Sequence, residues 1–305
     1  MHPAPPESQP QARPAAGTAS APGTAAGSRR VVETHAAPAR PAGVAPPVVH
    51  VDGVRLHALD EAGTIRHVIG ALDDGRGGLM VTHNLDHLRR LRTDAEFRAI
   101  CDRADLRVAD GMPLVWAAAL RGTPLPARVA GSSLMEPLAG AAAAAGHSVF
   151  LLGGMPGTAD AAAEELRRRH PALRIAGTAC PPVGFERDEA YVARLRRELA
   201  DSNADIVFVA LGSPKQEVLA DMHHDVLPRA WWIGVGISFS FLCGDVQRAP
   251  RWMQRTGLEW VHRLAQEPRR LARRYLVDGI PYAVRLLARS AAERTRRRGA
   301  AGDPA

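Results

Sequence analysis

The chain has 305 residues, 46% of them hydrophobic, with 39 Lys and Arg against 32 Asp and Glu and a formal charge of +7, which suits a globular chain with one large domain or two modest ones. Cys101, Cys180 and Cys243 lie far apart without a C-x-x-C pair, which argues against a disulfide framework or a zinc site and for small buried residues in a reducing compartment. No apolar run reaches the roughly 18 residues of a membrane span; the longest, Leu138 to Gly154, is alanine-rich and interrupted by His147.

Residues 1–45 are Ala, Pro, Gly, Ser and Thr with few large apolar side chains, so they bury too little surface to offset their ordering entropy and read as a disordered tail. They hold no basic segment followed by an apolar core, so a secretory signal is not expected. Residues 46–246 alternate short apolar runs with amphipathic stretches. The runs Leu79–Thr82, Leu106–Ala109, Val149–Leu152, Ile206–Ala210 and Trp231–Val235 predict buried strands, and Leu85–Arg103, Thr158–Arg169 and Asp188–Asp201 predict helices. This alternation predicts an α/β fold, a mostly parallel Rossmann-like sheet with helices on both faces.

Residues 247–290 predict a basic helical appendage, interrupted at Pro268, in which Trp260, Leu264 and Leu271 interleave with arginines as at a lipid headgroup boundary. Residues 291–305 predict a frayed basic tail. Between Arg248 and Arg298 fourteen arginines face four carboxylates, so the positive charge is one C-terminal block. Charge alone does not choose among nucleic acid, anionic lipid and a phosphorylated substrate. The absence of interleaved surface aromatics or a binding motif argues against nucleic acid.

Ligands of parallel sheets bind beyond the carboxyl ends of the strands, which singles out four segments. Asp110, at a strand end before Gly111, suits a general base or a helix cap equally. Thr82 and Asn84 can orient sugar hydroxyls or cap the next helix. Gly153-Gly154 opens a glycine-rich turn that is either a phosphate contact or a plain turn, since it matches neither common nucleotide-loop spacing. Gly212-Ser213-Pro214-Lys215-Gln216-Glu217 reads as a ligand-facing loop, and Lys215 is the chain's single lysine. Of the twelve histidines, the adjacent His223 and His224 point apart on a helix, and no catalytic metal is expected.

Taken together, Val81-Thr-His-Asn84, Ala104 to Val115, Arg128-Val-Ala-Gly131, Val149 to Gly154, Pro181 to Phe185, Ala210 to Glu217, Gly234-Val-Gly236, Arg248-Ala-Pro250 and Gly257-Leu-Glu-Trp260 resemble, in order, the WecG/TagA/CpsF glycosyltransferases of bacterial surface polysaccharide and wall teichoic acid synthesis. The likeness runs from about Val48 to Tyr282. It implies an inverting transferase that needs no metal and no cofactor. The donor implied is a UDP-sugar, of N-acetylmannosamine type, and the acceptor a polyprenyl-diphosphate-linked sugar. It also implies peripheral attachment to the anionic cytoplasmic face of the cell membrane, with self-association left open.

By the same resemblance Asp110 is the catalytic base, assisted by Thr82, Asn84 and Arg128. Gly153, Gly154 and the segment Gly212, Ser213, Pro214, Lys215, Gln216, Glu217 bind the donor, and Arg263, Arg270 and Arg273 hold the diphosphate. The sequence departs from the family pattern at His83, where many members have proline, and at Ser133 and Ser240, where members commonly have aspartate. These departures leave donor specificity open, with a nucleotide-sugar-binding homologue of impaired catalysis as the alternative reading.

Overall fold

The computed structural model describes residues 45–301; apart from Ala45, the expected N-terminal tail lies outside them. The first element is a hairpin of β1 (Val48–Val51) and β2 (Val54–His57). Its turn is Asp52-Gly53, both with left-handed backbone (φ 51° and 80°), the conformation that a two-residue hairpin loop needs.

The sheet-forming core follows. In chain order it contains α1 (Glu61–Asp73), β3 (Gly78–His83), α2 (Leu85–Arg90), α3 (Ala95–Arg103), β4 (Leu106–Ala109), α4 (Met112–Leu120), α5 (Gly131–Ala145), β5 (Ser148–Gly153) and α6 (Thr158–Arg169). Then come β6 (Arg174–Ala179), α7 (Glu189–Ser202), β7 (Ile206–Ala210), α8 (Lys215–His223), β8 (Trp231–Gly234) and α9 (Ser238–Cys243). The six strands β3 to β8 form one parallel sheet in the order β4-β3-β8-β7-β5-β6, so the expected α/β class is observed.

Alternation along the strands divides the core. Val149, Leu151, Ile206, Phe208 and Ile233 pack on one face against α1, α5 and α6. Phe150, Leu152, Val207, Val209 and Trp232 pack on the other against α3, α7 and α8. Both faces are covered, which is why these strands read as continuous apolar runs. Full burial of such side chains stabilises the fold by roughly 1.5–3 kcal/mol each.

The structure differs from the expected elements in two places. Leu85–Arg103 is two helices, because the Asp94 side chain accepts from Phe97 N and starts α3 afresh. Strand β6 was not foreseen: it lies at the sheet edge and is half-buried, with none of the apolar density of the central strands. Among the cysteines Cys101 is buried as expected, whereas Cys180 and Cys243 are only partly so, and all three are free.

Beyond the core lie α10 (Arg251–Thr256), α11 (Glu259–Gln266), α12 (Pro268–Ala272), a π-helical segment (Arg273–Gly279) and α13 (Ile280–Ala301). Pro268 starts α12, where its missing N–H costs nothing. Helix α13 folds back on the core, with Tyr282 and Leu286 packed beside Val49, Leu56 and Leu114. Tyr282 donates a 2.5 Å hydrogen bond to Asp52 in the hairpin turn. Where a frayed tail was expected from residue 291, the helix continues to Ala301; Ser290 is buried and Arg121 pairs with Glu293. Residues 302–305 lie outside the described residues. The apolar stripe also sits differently from expectation: Leu271 is buried and Trp260 packs edge-on against Tyr275, while Leu276, Val277, Ile280 and Val284 are exposed.

Candidate active site

A cleft of about 880 Å³ opens at the carboxyl ends of β3, β4, β5, β7 and β8, and the appendage helices α11 and α12 form part of its wall. Of the expected site residues, Thr82, Asn84, Asp110, Gly154, Gly212, Ser213, Pro214, Lys215, Gln216, Arg263 and Arg270 line it. Arg128, Gly153, Glu217 and Arg273 stand outside the lining.

Asp110 follows β4, and its N–H donates to the His83 carbonyl at 2.7 Å. It is not a helix cap: Gly111 occupies the N-cap of α4, without a side-chain bond. Only a quarter of its side chain is exposed. Desolvation pushes its pKa up to about 7, against the pull of Arg128 and with a further push from Glu259. Val129 N donates to the Ala109 carbonyl at 2.7 Å, which fixes Arg128 beside Asp110. Arg128 Nη1 lies 4.0 Å from Asp110 Oδ1 and 3.0 Å from Glu259 Oε2. Arg128, itself outside the lining, thus contacts two residues that line the cleft, Asp110 and Glu259.

Asn84 does cap α2: its Oδ1 accepts from Asp86 N and His87 N at 3.0 and 3.1 Å. The cap fixes the amide's orientation at the cleft lining, and among the described residues its Nδ2 donors have no protein partner. His83 is fully buried and neither ring nitrogen has a hydrogen-bond partner. Burial lowers its pKa well below the usual imidazole value, and it packs edge-on against His87.

On the side of β5 and β7, Gly154 (φ 86°) turns the chain so closely that an added Cβ would lie 2.3 Å from Thr158 Oγ1. Its N–H is committed to the Ala210 carbonyl at 2.7 Å, so it is not free for a phosphate. Gln216 is likewise engaged by the protein. Its Oε1 accepts from Gly236 N at 3.0 Å and its Nε2 donates to Glu217 Oε1 at 2.8 Å. Glu217 is buried beneath it, 4.0 Å from His87 Nε2. A Cβ at Gly234 would meet Gln216 Nε2 at 2.4 Å, so a larger residue there would displace this amide.

The appendage brings Arg263, Arg270 and Arg274 to the cleft, while Arg273 is exposed away from it. Arg270 pairs with Glu267, and Arg274 with Asp86 at 3.3 Å. Among the described residues no carboxylate pairs with Arg263 or with Lys215, which leaves two cations in the cleft available to an anionic ligand. Arg248, at the start of the appendage, donates to Ser133 Oγ at 2.5 Å and stacks on Phe241. Ser240 is buried in the cleft wall.

Sequence reasoning missed Glu259, Glu267 and Arg274. Glu259 is one of four carboxylates in a run of fourteen arginines, a contrast that singles it out. Among the described residues no group of three or more His, Cys, Asp and Glu side chains converges as metal ligands would. No described helix is long and apolar enough to cross a membrane.

A family model described as "Glycosyl transferase WecG/TagA/CpsF family" matches residues 49–297, which include every residue lining the cleft. The N-acetylglucosaminyldiphosphoundecaprenol N-acetyl-beta-D-mannosaminyltransferase of Bacillus spizizenii is 33% identical over 202 residues, covering 66% of this chain and 76% of that relative.

Proposed function

The chain belongs to the WecG/TagA/CpsF glycosyltransferase family, and from that premise we propose that it transfers N-acetylmannosamine from a UDP-sugar to a polyprenyl-diphosphate-linked sugar, with inversion and without a metal. The acceptor and sugar follow the activity in the name of the Bacillus spizizenii relative. The observation that carries the mechanism is one cleft holding both a carboxylate of raised proton affinity, Asp110, and two cations, Lys215 and Arg263, that no carboxylate pairs with among the described residues.

An acceptor hydroxyl attacks the anomeric carbon and gives its proton to an Asp110 carboxylate oxygen. The new C–O bond forms as the bond from that carbon to the diphosphate oxygen breaks, on the opposite face of the sugar. A base with a pKa near the working pH holds that proton without being inert beforehand. Charge then gathers on the departing nucleoside diphosphate. Lys215 and Arg263 meet it, with Arg270 and Arg274 reached by exchange of their carboxylate partners. Thr82 and the Asn84 amide orient substrate hydroxyls. The same reading puts the enzyme at the cytoplasmic membrane face, where the lipid acceptor is held.

Mass spectrometry of lipid products from a panel of UDP-sugars with a short-chain polyprenyl-diphosphate sugar tests the substrates; product from no UDP-sugar in the panel sinks the proposal. Asp110→Asn is expected to lower kcat by about 10²- to 10⁴-fold with donor binding retained. Near-normal turnover would remove Asp110 from the mechanism.

A further inference from the structure

Glu259 belongs to the basic appendage, yet its carboxylate faces the catalytic end of the cleft and is only 14% exposed. Its Oε2 accepts from Arg128 Nη1 at 3.0 Å, and its Oε1 lies 3.9 Å from Arg248 Nε. Asp110 Oδ1 lies 4.0 Å from the same Arg128 nitrogen. One guanidinium nitrogen therefore stands between two carboxylates and is hydrogen-bonded to that of the appendage.

We infer that Glu259 is a positioning residue for sugar transfer: by engaging Arg128 it keeps that guanidinium from closing on Asp110, so the base is free to take a proton only while the appendage is seated on the core. The inference rests on the reading of Asp110 as the base. The charged groups facing Asp110 are Arg128 from the segment before α5, Arg248 from the stretch after α9, and Glu259 and Arg263 from α11. Glu61 of α1 is near enough to interact with both Arg128 and Arg248.

Three cations thus surround Asp110, and among the described residues Glu259 is the one carboxylate with them. Without it, Arg128 is free to make a direct ion pair with Asp110. A carboxylate in such a pair is a weaker base by roughly 1–3 pH units. Glu259 acts twice, by withdrawing Arg128 and by adding negative charge beside Asp110. Because it sits on α11, the same contact reports that the acceptor-side wall is in place before the base is at full strength.

The pH dependence of kcat/KM, with a UDP-sugar and a short-chain polyprenyl-diphosphate acceptor, tests this in the wild-type chain, Glu259→Gln, Glu259→Asp and Asp110→Asn, with thermal unfolding measured on each. Glu259→Gln is expected to move the acidic limb down by about one pH unit and to lower kcat on the plateau. Glu259→Asp, which withdraws the carboxylate by one methylene, should move it part of the way and decides the matter if the Gln variant does not fold. A purely structural tie would lower the melting temperature and leave the limb in place; an unmoved limb in folded variants overturns the inference. With Asp110→Asn inactive, that result refutes the role of Glu259 alone. If Asp110→Asn keeps wild-type turnover and the wild-type limb, the assignment of the base fails and the role of Glu259 falls with it.

Discussion

As the proposed base, Asp110 meets two opposing demands, since the burial that raises its proton affinity also makes its charged form costly. Its folded pKa of about 7 lies above the roughly 3.9 of an unfolded aspartate. Between those values the native state binds the extra proton, so this group's contribution to stability is fully present below about pH 4 and is lost as pH rises through about 7. Asp110→Asn is therefore expected to stabilise the protein at pH 8 by on the order of 2–4 kcal/mol and to have no such effect at pH 4. Urea unfolding at both pH values measures it, and equal effects at the two would show that Asp110 is not held in a charge-disfavouring site. The candidate residues nearest the strand ends were legible in the sequence because short apolar runs locate the strand ends. What Gln216 and Gly154 do with their polar groups was not, because a hydrogen bond spent on the Gly236 N–H or the Ala210 carbonyl depends on segments distant in sequence. Glu259 falls within the Gly257–Trp260 motif, but its importance comes from Arg128, far earlier in the chain.

At the scale of elements, the central strands announced themselves by apolar runs with both faces buried, and Ile206–Ala210 and Leu106–Ala109 coincide with β7 and β4. Edge strand β6 and the hairpin lacked that density, although Asp52-Gly53 is a strong turn signal. The break between α2 and α3 was hidden because periodic apolar residues continue across it while Asp94 acts as a cap. What the pattern does not convey is how closely elements approach. Gly131 opens α5 against the end of β8, and a Cβ there would lie 2.5 Å from the Gly234 carbonyl oxygen. Both partners are backbone in regular elements, so neither can give way cheaply. Gly131→Ala is expected to destabilise the fold by about 1–3 kcal/mol and to raise the KM for the donor, because Gly234 supports the Gln216 amide. Unfolding midpoints and donor titration check both effects, and an unperturbed variant would mean that α5 and β8 are not tightly docked.

Across the whole molecule, the charge asymmetry read from sequence corresponds to a division of labour in space. The core contributes Asp110 and the glycine-rich strand ends, and the appendage contributes Glu259 and the arginines of the cleft wall. The appendage also exposes Val277, Ile280 and Val284, whose spacings of three and four residues put them on one helical face. Arg273, Arg285 and Arg289 are exposed on the same segments, and Arg269 on the preceding α12. Apolar side chains beside cations suit an anionic bilayer surface, where each Arg near the surface contributes about 1 kcal/mol and the attraction is screened by salt. Ile280→Glu with Val284→Glu places two carboxylates on the exposed face without touching the buried Tyr282 and Leu286. The double variant is expected to lose at least about tenfold in affinity for vesicles containing anionic lipid, the equivalent of 1.4 kcal/mol, a modest fraction of the burial of two aliphatic side chains. Turnover of a short-chain, water-soluble acceptor should stay at the wild-type level while turnover of a vesicle-embedded acceptor falls. Unchanged sedimentation with vesicles would show that this face does not meet the membrane, and equal losses on both acceptors would assign it to the reaction instead.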